Sequence, residues 1–249
     1  MTTAHSSFPQ PEDPGISIWR YMDLDKFAWM LQREALYFAR GDLLQQGDPY
    51  EGYITKTMAK ERDQELVDLI RPNIVNPPDE ADRAMGEMLS GVRQGEREAV
   101  RFFYASCWHM SPYESAAMWK LYAPRGLSIC VRSTYQQLWD LLPGQCFLGE
   151  ITYLNYDDER FARENWLTRF MHKRESFSHE KEVRAVLMTT GIDQEDPSVV
   201  QIDLHKLIHD LYIGPDCAPP LLEVVQRMVR DAEFDLEVKQ SGVNSRPAW

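Results

Sequence analysis

FSHEKEVRAVLM, residues 177–188, is the stretch on which the fold turns. Taken as a strand, its side chains alternate between faces, and same-face neighbours lie about 7 Å apart. Phe177, His179, Lys181, Val183, Ala185 and Leu187 fall on one side, and Ser178, Glu180, Glu182, Arg184, Val186 and Met188 on the other. Two carboxylates and a guanidinium then share a face that turns apolar within two residues. A strand whose charged half emerges from a core into a cleft has this pattern. The same string also reads as a solvated strand end whose charges neutralise one another.

The rest of the chain has to support one of these readings. Its 249 residues suit one large domain or two small ones, and 43% hydrophobic with 27% charged residues is the balance of a globular protein with a real core. A net charge of −12 argues against broad electrostatic attraction to nucleic acid or an anionic membrane, although a local basic groove stays open. Cys107, Cys130, Cys146 and Cys217 show no C-x-x-C spacing, so neither disulfides nor a structural zinc is expected. With no secretory or membrane-spanning pattern, the expectation is a cytoplasmic protein with reduced thiols.

Residues 1–15 are polar and rich in Pro and Ser, the composition of a flexible lead-in. ISIWRYM, residues 16–22, alternates as a strand and puts Arg20 on the apolar face with Ile18 and Met22. A buried arginine needs a carboxylate, a carbonyl group or an anionic ligand to offset desolvation. In a shifted register it becomes an exposed edge residue instead. Asp23 is placed to cap a helix carrying Phe27, Met30 and Leu31, and residues 36–38 read as a short strand. GDPYEG, residues 47–52, is a turn that holds Asp48 and Glu51 together, either to orient an arginine or bind a ribose, or simply to cap the turn. Residues 55–101 read as a helical insertion or lid broken at Pro77-Pro78.

The second informative segment is residues 102–132. FFYASCW suits a central strand, and Ser111-Pro112 opens a helix on which Glu114, Met118, Trp119 and Tyr122 share a side. An acid beside two large aromatics suits a floor for a flat ring, and an aromatic stripe at this spacing equally suits plain core. Further strands are expected at 126–132 and 149–153, as two short strands within 198–216 around 204–208, and at 234–241, with helices at 135–142, 156–173 and 217–231. Strands and helices without regular alternation predict a single α+β domain over 16–249, with a mixed, mostly antiparallel central sheet flanked by helices.

Successive blocks across nearly the whole chain carry a family resemblance. They are WRYM at 19–22, LYFAR and GDPYEG within 36–52, SCWH and ESAAMWKLYA within 106–123, RGLSICV at 125–131, KRESFSHEKEVRAV at 173–186 and LYIGPD at 211–216. Together they resemble the bacterial family catalogued as domain of unknown function 2971. At a second level, the order of elements resembles ADP-ribosyltransferases, including those that modify nucleic acids. That likeness implies an ADP-ribosyltransferase-like fold using NAD as substrate on a protein or nucleic-acid acceptor, a chemistry suited to a toxin or defence effector. It also implies roles for particular residues. Glu182, with Glu180 beside it, would stabilise the oxocarbenium-like ribosyl centre, and Arg20 would hold a ribose or phosphate. Tyr21, Ser106, Trp108, Glu114, Trp119, Tyr122 and Arg184 would contact the dinucleotide. SCW departs from the family's Ser-Thr-Ser triplet, and no Gly-rich phosphate loop is present.

Two other readings stay open. Asp48, Glu51, Glu180 and Glu182 would make an acidic magnesium site of a phosphodiesterase or nuclease. Alternatively, Arg20, Arg184, Asp48 and Glu182 would form a buried ion network in a non-enzymatic binding module. The transferase reading predicts Arg20 and Glu182 on neighbouring strands at one cleft, with Trp108, Trp119 or Tyr122 in its wall.

Overall fold

The computed structural model describes residues 5–73, 77–122, 127–162, 165–189 and 196–245. Its strands are β1 (Ser17–Asp23), β2 (Ala35–Tyr37), β3 (Ala39–Arg40), β4 (Phe103–Met110), β5 (Ser128–Thr134), β6 (Phe147–Glu150), β7 (Thr152–Leu154), β8 (His172–Arg174), β9 (Glu182–Met188), β10 (Val199–Gln201), β11 (Asp210–Ile213) and β12 (Val238–Gln240). The helices are α1 (Leu24–Arg33), α2 (Gly41–Leu44), α3 (Lys56–Ile70), α4 (Pro78–Ala99), α5 (Ala116–Tyr122), α6 (Tyr135–Leu141), α7 (Leu204–Leu207) and α8 (Pro219–Asp231).

The central sheet runs β12-β11-β5-β1-β4-β9-β6, with β3 paired to β4 beside β1. Every pairing in it is antiparallel except β11 with β12, so the protein is α+β with a mixed, mostly antiparallel sheet flanked by helices. Alternation along the strands sorts residues into two layers. Ile18, Met22, Trp108, Val131, Val183 and Ala185 face the main core, where α1, α6 and α8 bring Phe27, Leu138 and Val225. On the opposite face Phe103, Ala105 and Val186 pack on Phe8 and Phe170, while Trp19, Tyr21 and Cys130 pack on Met118 and Trp119 of α5. The helices form where apolar spacing allows one face to be buried: Phe27, Met30 and Leu31 in α1, and Leu221, Val225 and Val229 in α8.

Several segments differ from the sequence expectation. Residues 5–15 lie against the sheet rather than loosely, because Phe8 is buried, Pro9 O accepts from Glu150 N at 2.8 Å, and Gln10 Nε2 donates to Leu148 O at 2.9 Å. Residues 156–173 form no α-helix in their described part. Tyr156 and Phe161 fold back onto His172, the tyrosine hydroxyl donating to its carbonyl at 3.1 Å and the phenylalanine ring stacking at 4.1 Å. The chain then forms a 3₁₀ turn at Leu167–Met171, followed by β8. Ser111-Pro112 does not start a helix, since α5 begins at Ala116. The two short strands expected around 204–208 are β10 and β11, and residues 204–207 between them are helical, with Asp203 accepting from Lys206 N at 3.2 Å as the cap.

The stretch at 177–188 is half strand. Glu175–Glu180 is a 3₁₀ turn, Lys181 sits in the left-handed region at φ 41°, and only then does β9 begin. Within β9 the faces are as the alternation gives them. Val183, Ala185 and Leu187 enter the main core, and Val186 enters the opposite layer.

Candidate functional site

Between β1, β3, β4, β8 and β9 lies a cavity of about 710 Å³, in the size range of small-molecule pockets. Its origin is a gap in the sheet. β4 pairs with β1 only at Met110 and His109, and with β3 only at Ala105 and Tyr104, so between those points the strands separate. Arg20, Tyr21 and Met22 of β1 line one side of the slot, and Tyr37 and Ala39 line another. Ala105 and Cys107 of β4 complete it, with Glu182 and Arg184 of β9 beyond.

At the β9 end the charges are buried and fully engaged. Arg184, 0% exposed, donates from Nη1 and Nη2 to the two oxygens of Glu51, both at 2.9 Å. It also donates from Nε to Glu182 at 2.7 Å and from Nη1 to Phe170 O at 2.8 Å. Lys173 Nζ lies 2.5 Å from Glu180, 3.2 Å from Glu182 and 3.5 Å from Glu51, and the Tyr122 hydroxyl donates to Glu180 at 2.9 Å. Three carboxylates thus surround two cations, an excess of one negative charge. Burial alone would raise the pKa of Glu182, but Arg184 and Lys173 outweigh it and hold the carboxyl at about 2. Burial would likewise lower Lys173, and Glu182 and Glu51 reverse it. The Cys107 thiol, beside Glu182, is pushed well up by burial and by that charge, so it is no thiolate.

The local backbone makes this convergence possible. The left-handed Lys181 reverses the chain between Glu180 and Glu182 so that both carboxylates meet Lys173. Gly52, at φ 75°, ends the acidic loop against the ring of Phe170, 2.6 Å from where a Cβ would sit, and thereby holds Glu51 on Arg184.

Arg20 contrasts with Arg184. Its Nη1 donates to Ser106 Oγ and its Nη2 to Tyr37 O at 2.8 Å, while the guanidinium carbon lies 5.6 Å from the centre of the Trp108 ring. Among the described residues no carboxylate pairs with it. Burial pulls its pKa down to about 10, which leaves it cationic at neutral pH.

The sequence-derived residues therefore divide into three groups. Arg20, Tyr21, Asp48, Glu51, Tyr122, Glu180, Glu182 and Arg184 all line the cavity. Ser106 and Trp108 stand behind Arg20 as its supports. Glu114 and Trp119 are elsewhere. Glu114 accepts from Trp119 Nε1 at 3.1 Å and from Ser241 Oγ at 2.5 Å, pinning the C-terminal segment, and Trp119 packs edge-on against Tyr21 at 4.9 Å.

Arg20 and Glu182 are not on neighbouring strands, since β4 lies between theirs. They also spring from opposite faces of the sheet. Trp19 pairs with His109 and His109 with Glu182, whereas Arg20 shares its side with Ile18. They reach one cavity only because β1 peels away from β4 after Trp19.

The acidic magnesium quartet does not assemble. Asp48 pairs with Arg174 at 2.6 Å, and the other three acids hold Lys173 and Arg184. Among the described residues no group of three or more His, Cys, Asp or Glu side chains is placed to hold a metal ion. The sequence reading missed Lys173, the hub of the cluster, and the aromatic walls Trp29, Tyr37 and Phe177. Lys173 had a signal, a lysine just ahead of an acid-rich strand, hidden by reading 156–173 as a polar helix.

Among the described residues no helix is long and apolar enough to cross a membrane. Compared with models of known protein families, with curated proteins and with solved structures, the chain matches none.

Proposed function

We propose that the cavity binds NAD and that the chain is an ADP-ribosyltransferase-like enzyme, as its resemblance to domain of unknown function 2971 and to ADP-ribosyltransferases leads one to expect. One observation carries the reading. A guanidinium with no carboxylate partner among the described residues and a carboxylate cluster with one excess negative charge line the same slot. A dinucleotide that is anionic at its phosphates and cationic at its nicotinamide ring would bridge the two ends. Arg20 would take a phosphate, and Trp29, Tyr37, Phe177 and Tyr122 offer ring faces for stacking. As nicotinamide leaves with the electron pair of the C–N bond, positive charge grows on the ribosyl carbon, and the fixed carboxylates of Glu180 and Glu182 oppose it.

A specific observation favours a second reading, that of a binding module whose ion cluster only holds the sheet. Glu182 is 5% exposed and bonded to both Arg184 and Lys173. Titration with NAD, followed by tryptophan fluorescence, separates the readings together with Glu182→Gln. The transferase reading expects quenching that Trp29→Phe reduces. It also expects NAD turnover to fall about 100-fold in Glu182→Gln. Parental turnover in Glu182→Gln rules out the role given to that carboxylate, and a flat titration rules out NAD.

A further inference from the structure

The loop that carries Glu51 brings another carboxylate to the slot. Asp48 lines the cavity and is 2% exposed, and its carbonyl oxygen accepts from Glu51 N at 3.0 Å, so the two acids share one turn. Only one of its side-chain oxygens is engaged. Arg174 Nη2 lies 2.6 Å from Oδ1, and Tyr50 N donates to the same atom at 3.0 Å. Oδ2 is buried and, among the described residues, accepts from no donor. No other described residue lining the slot has a buried side-chain oxygen or nitrogen left without a partner.

An arginine facing a carboxylate commonly engages both oxygens through two parallel N–H groups. Here the Arg174 guanidinium is stacked between two rings, 4.6 Å from the centre of Tyr50 and 5.2 Å from that of Phe177. Its closest approach to Asp48 is Nη2 to Oδ1, and its Nε is left buried without an acceptor. A buried carboxylate oxygen with no donor bears an uncompensated desolvation cost, which a donor on a ligand in the slot removes. The neighbouring guanidinium disfavours a second cation there. A hydroxyl group is neutral, donates to an oxygen such as Oδ2 and accepts from a nitrogen such as Nε, so a single oxygen meets both needs.

We infer that Asp48 Oδ2 accepts a hydrogen bond from a hydroxyl of the ribose on the nicotinamide side of NAD, and that Asp48 thereby selects a ribosyl over a deoxyribosyl group. The inference rests on the NAD reading of the slot and adds to it the residue that reads the sugar. The choice of ribose follows from where Asp48 stands. Its loop delivers Glu51 to Arg184, which also binds Glu182, and the residue before Arg174 is Lys173, which holds Glu180 and Glu182. Asp48 is therefore at the end of the slot where Glu180 and Glu182 oppose the charge on the ribosyl carbon.

The test measures Kd by calorimetry on the purified full chain and on Asp48→Ala, with NAD and with NAD analogues lacking the 2′- or the 3′-hydroxyl of the nicotinamide-side ribose. In the parent, one of these analogues should bind about 10- to 100-fold more weakly than NAD, the loss of one hydrogen bond to a charged group. In Asp48→Ala that analogue and NAD should bind within twofold of each other. A carboxylate that only braces the loop would weaken both ligands equally and leave their ratio as in the parent, and that result overturns the contact. The parent alone also decides, whether or not the variant folds: NAD and both analogues binding equally removes the role of Asp48 and leaves the NAD site standing. Analogues lacking an adenine-side hydroxyl should bind as NAD does, and a loss confined to them overturns the choice of ribose. No binding of NAD to the parent overturns the site reading and this inference together.

Discussion

The two edges of β4 behave oppositely. Along one, β4 pairs with β9 at seven successive positions, from Phe103 with Met188 to His109 with Glu182. Along the other it meets β1 at two positions and β3 at two, with a gap between them. The zipped edge has its charges buried and mutually saturated around Arg184 and Lys173. The open edge leaves Arg20 with a hydroxyl, a carbonyl group and an indole face, and no counter-ion among the described residues. On a fully paired edge each buried charge needs a partner to offset its desolvation. One that parts can leave a charge for a ligand. The comparison therefore assigns stability to one arginine and recognition to the other.

Arg184→Ala gives the largest expected effect. It strands Glu51 and Glu182 in a buried site, and losing one partner of such a pair costs about 3–5 kcal/mol. Urea denaturation should show a midpoint shift of that size. A loss below about 1 kcal/mol would mean that water reaches the cluster freely and that the two edges do not differ as described.

The second effect depends on pH. A glutamate ordinarily titrates near 4.5, and Glu182 is held at about 2. Its folded-state pKa is depressed, so its contribution is fully present above pH 4.5 and is lost as pH falls toward 2. The gap corresponds to roughly 3 kcal/mol. Stability measured from pH 6 down to pH 2 should fall more steeply for the parent than for Glu182→Gln. Parallel curves would show that another carboxylate governs the acid limb.

Much of this was legible in residues 16–22 and 182–188, because strand alternation is local. Arg20 beside Ile18 and Met22, and Arg184 beside Glu182, follow from counting by twos. Strand order is not local. That β4 stands between β1 and β9, and that β1 peels off after Trp19, depends on pairings between segments more than 70 residues apart, about which each segment alone is silent. The kink at Lys181 had no glycine or asparagine to announce it, so the turn at 175–180 read as more strand. Lys173 was lost to a helical reading of 156–173. The magnesium quartet failed for the same kind of reason, since the cations that neutralise it come from β8 and β9 and could not be paired with the loop from its own sequence.

Arg20→Gln should show the converse of Arg184→Ala. Among the described residues it strands no carboxylate, so stability should change by no more than about 1.5 kcal/mol, the scale of one ordinary hydrogen bond. Affinity for NAD should fall by about 1.5–3 kcal/mol, roughly 10- to 100-fold in Kd, as a charge-assisted contact is lost. Calorimetry and a thermal melt on the same sample decide it. A variant that melts far lower yet binds NAD as the parent does would make Arg20 structural and remove the difference between the edges.

The smallest effect belongs to Glu114, a residue that sequence placed in the dinucleotide site and the fold places outside it. Its carboxylate holds Trp119 Nε1 and Ser241 Oγ and receives Gly242 N at 3.4 Å, so it ties α5 to the segment after β12. Glu114→Gln keeps the shape and one acceptor oxygen, exchanging charge-assisted bonds for neutral ones at a cost of about 1 kcal/mol. Nothing in that change reaches the slot: Glu114 is not among the residues that line it, and Trp119 stands between it and Tyr21. Calorimetry should give a Kd for NAD within twofold of the parent, and a melt should show a drop of a few degrees. A tenfold loss of affinity with the melt unchanged would place the carboxylate in the site after all, and would mean that the slot extends past Tyr21 toward α5.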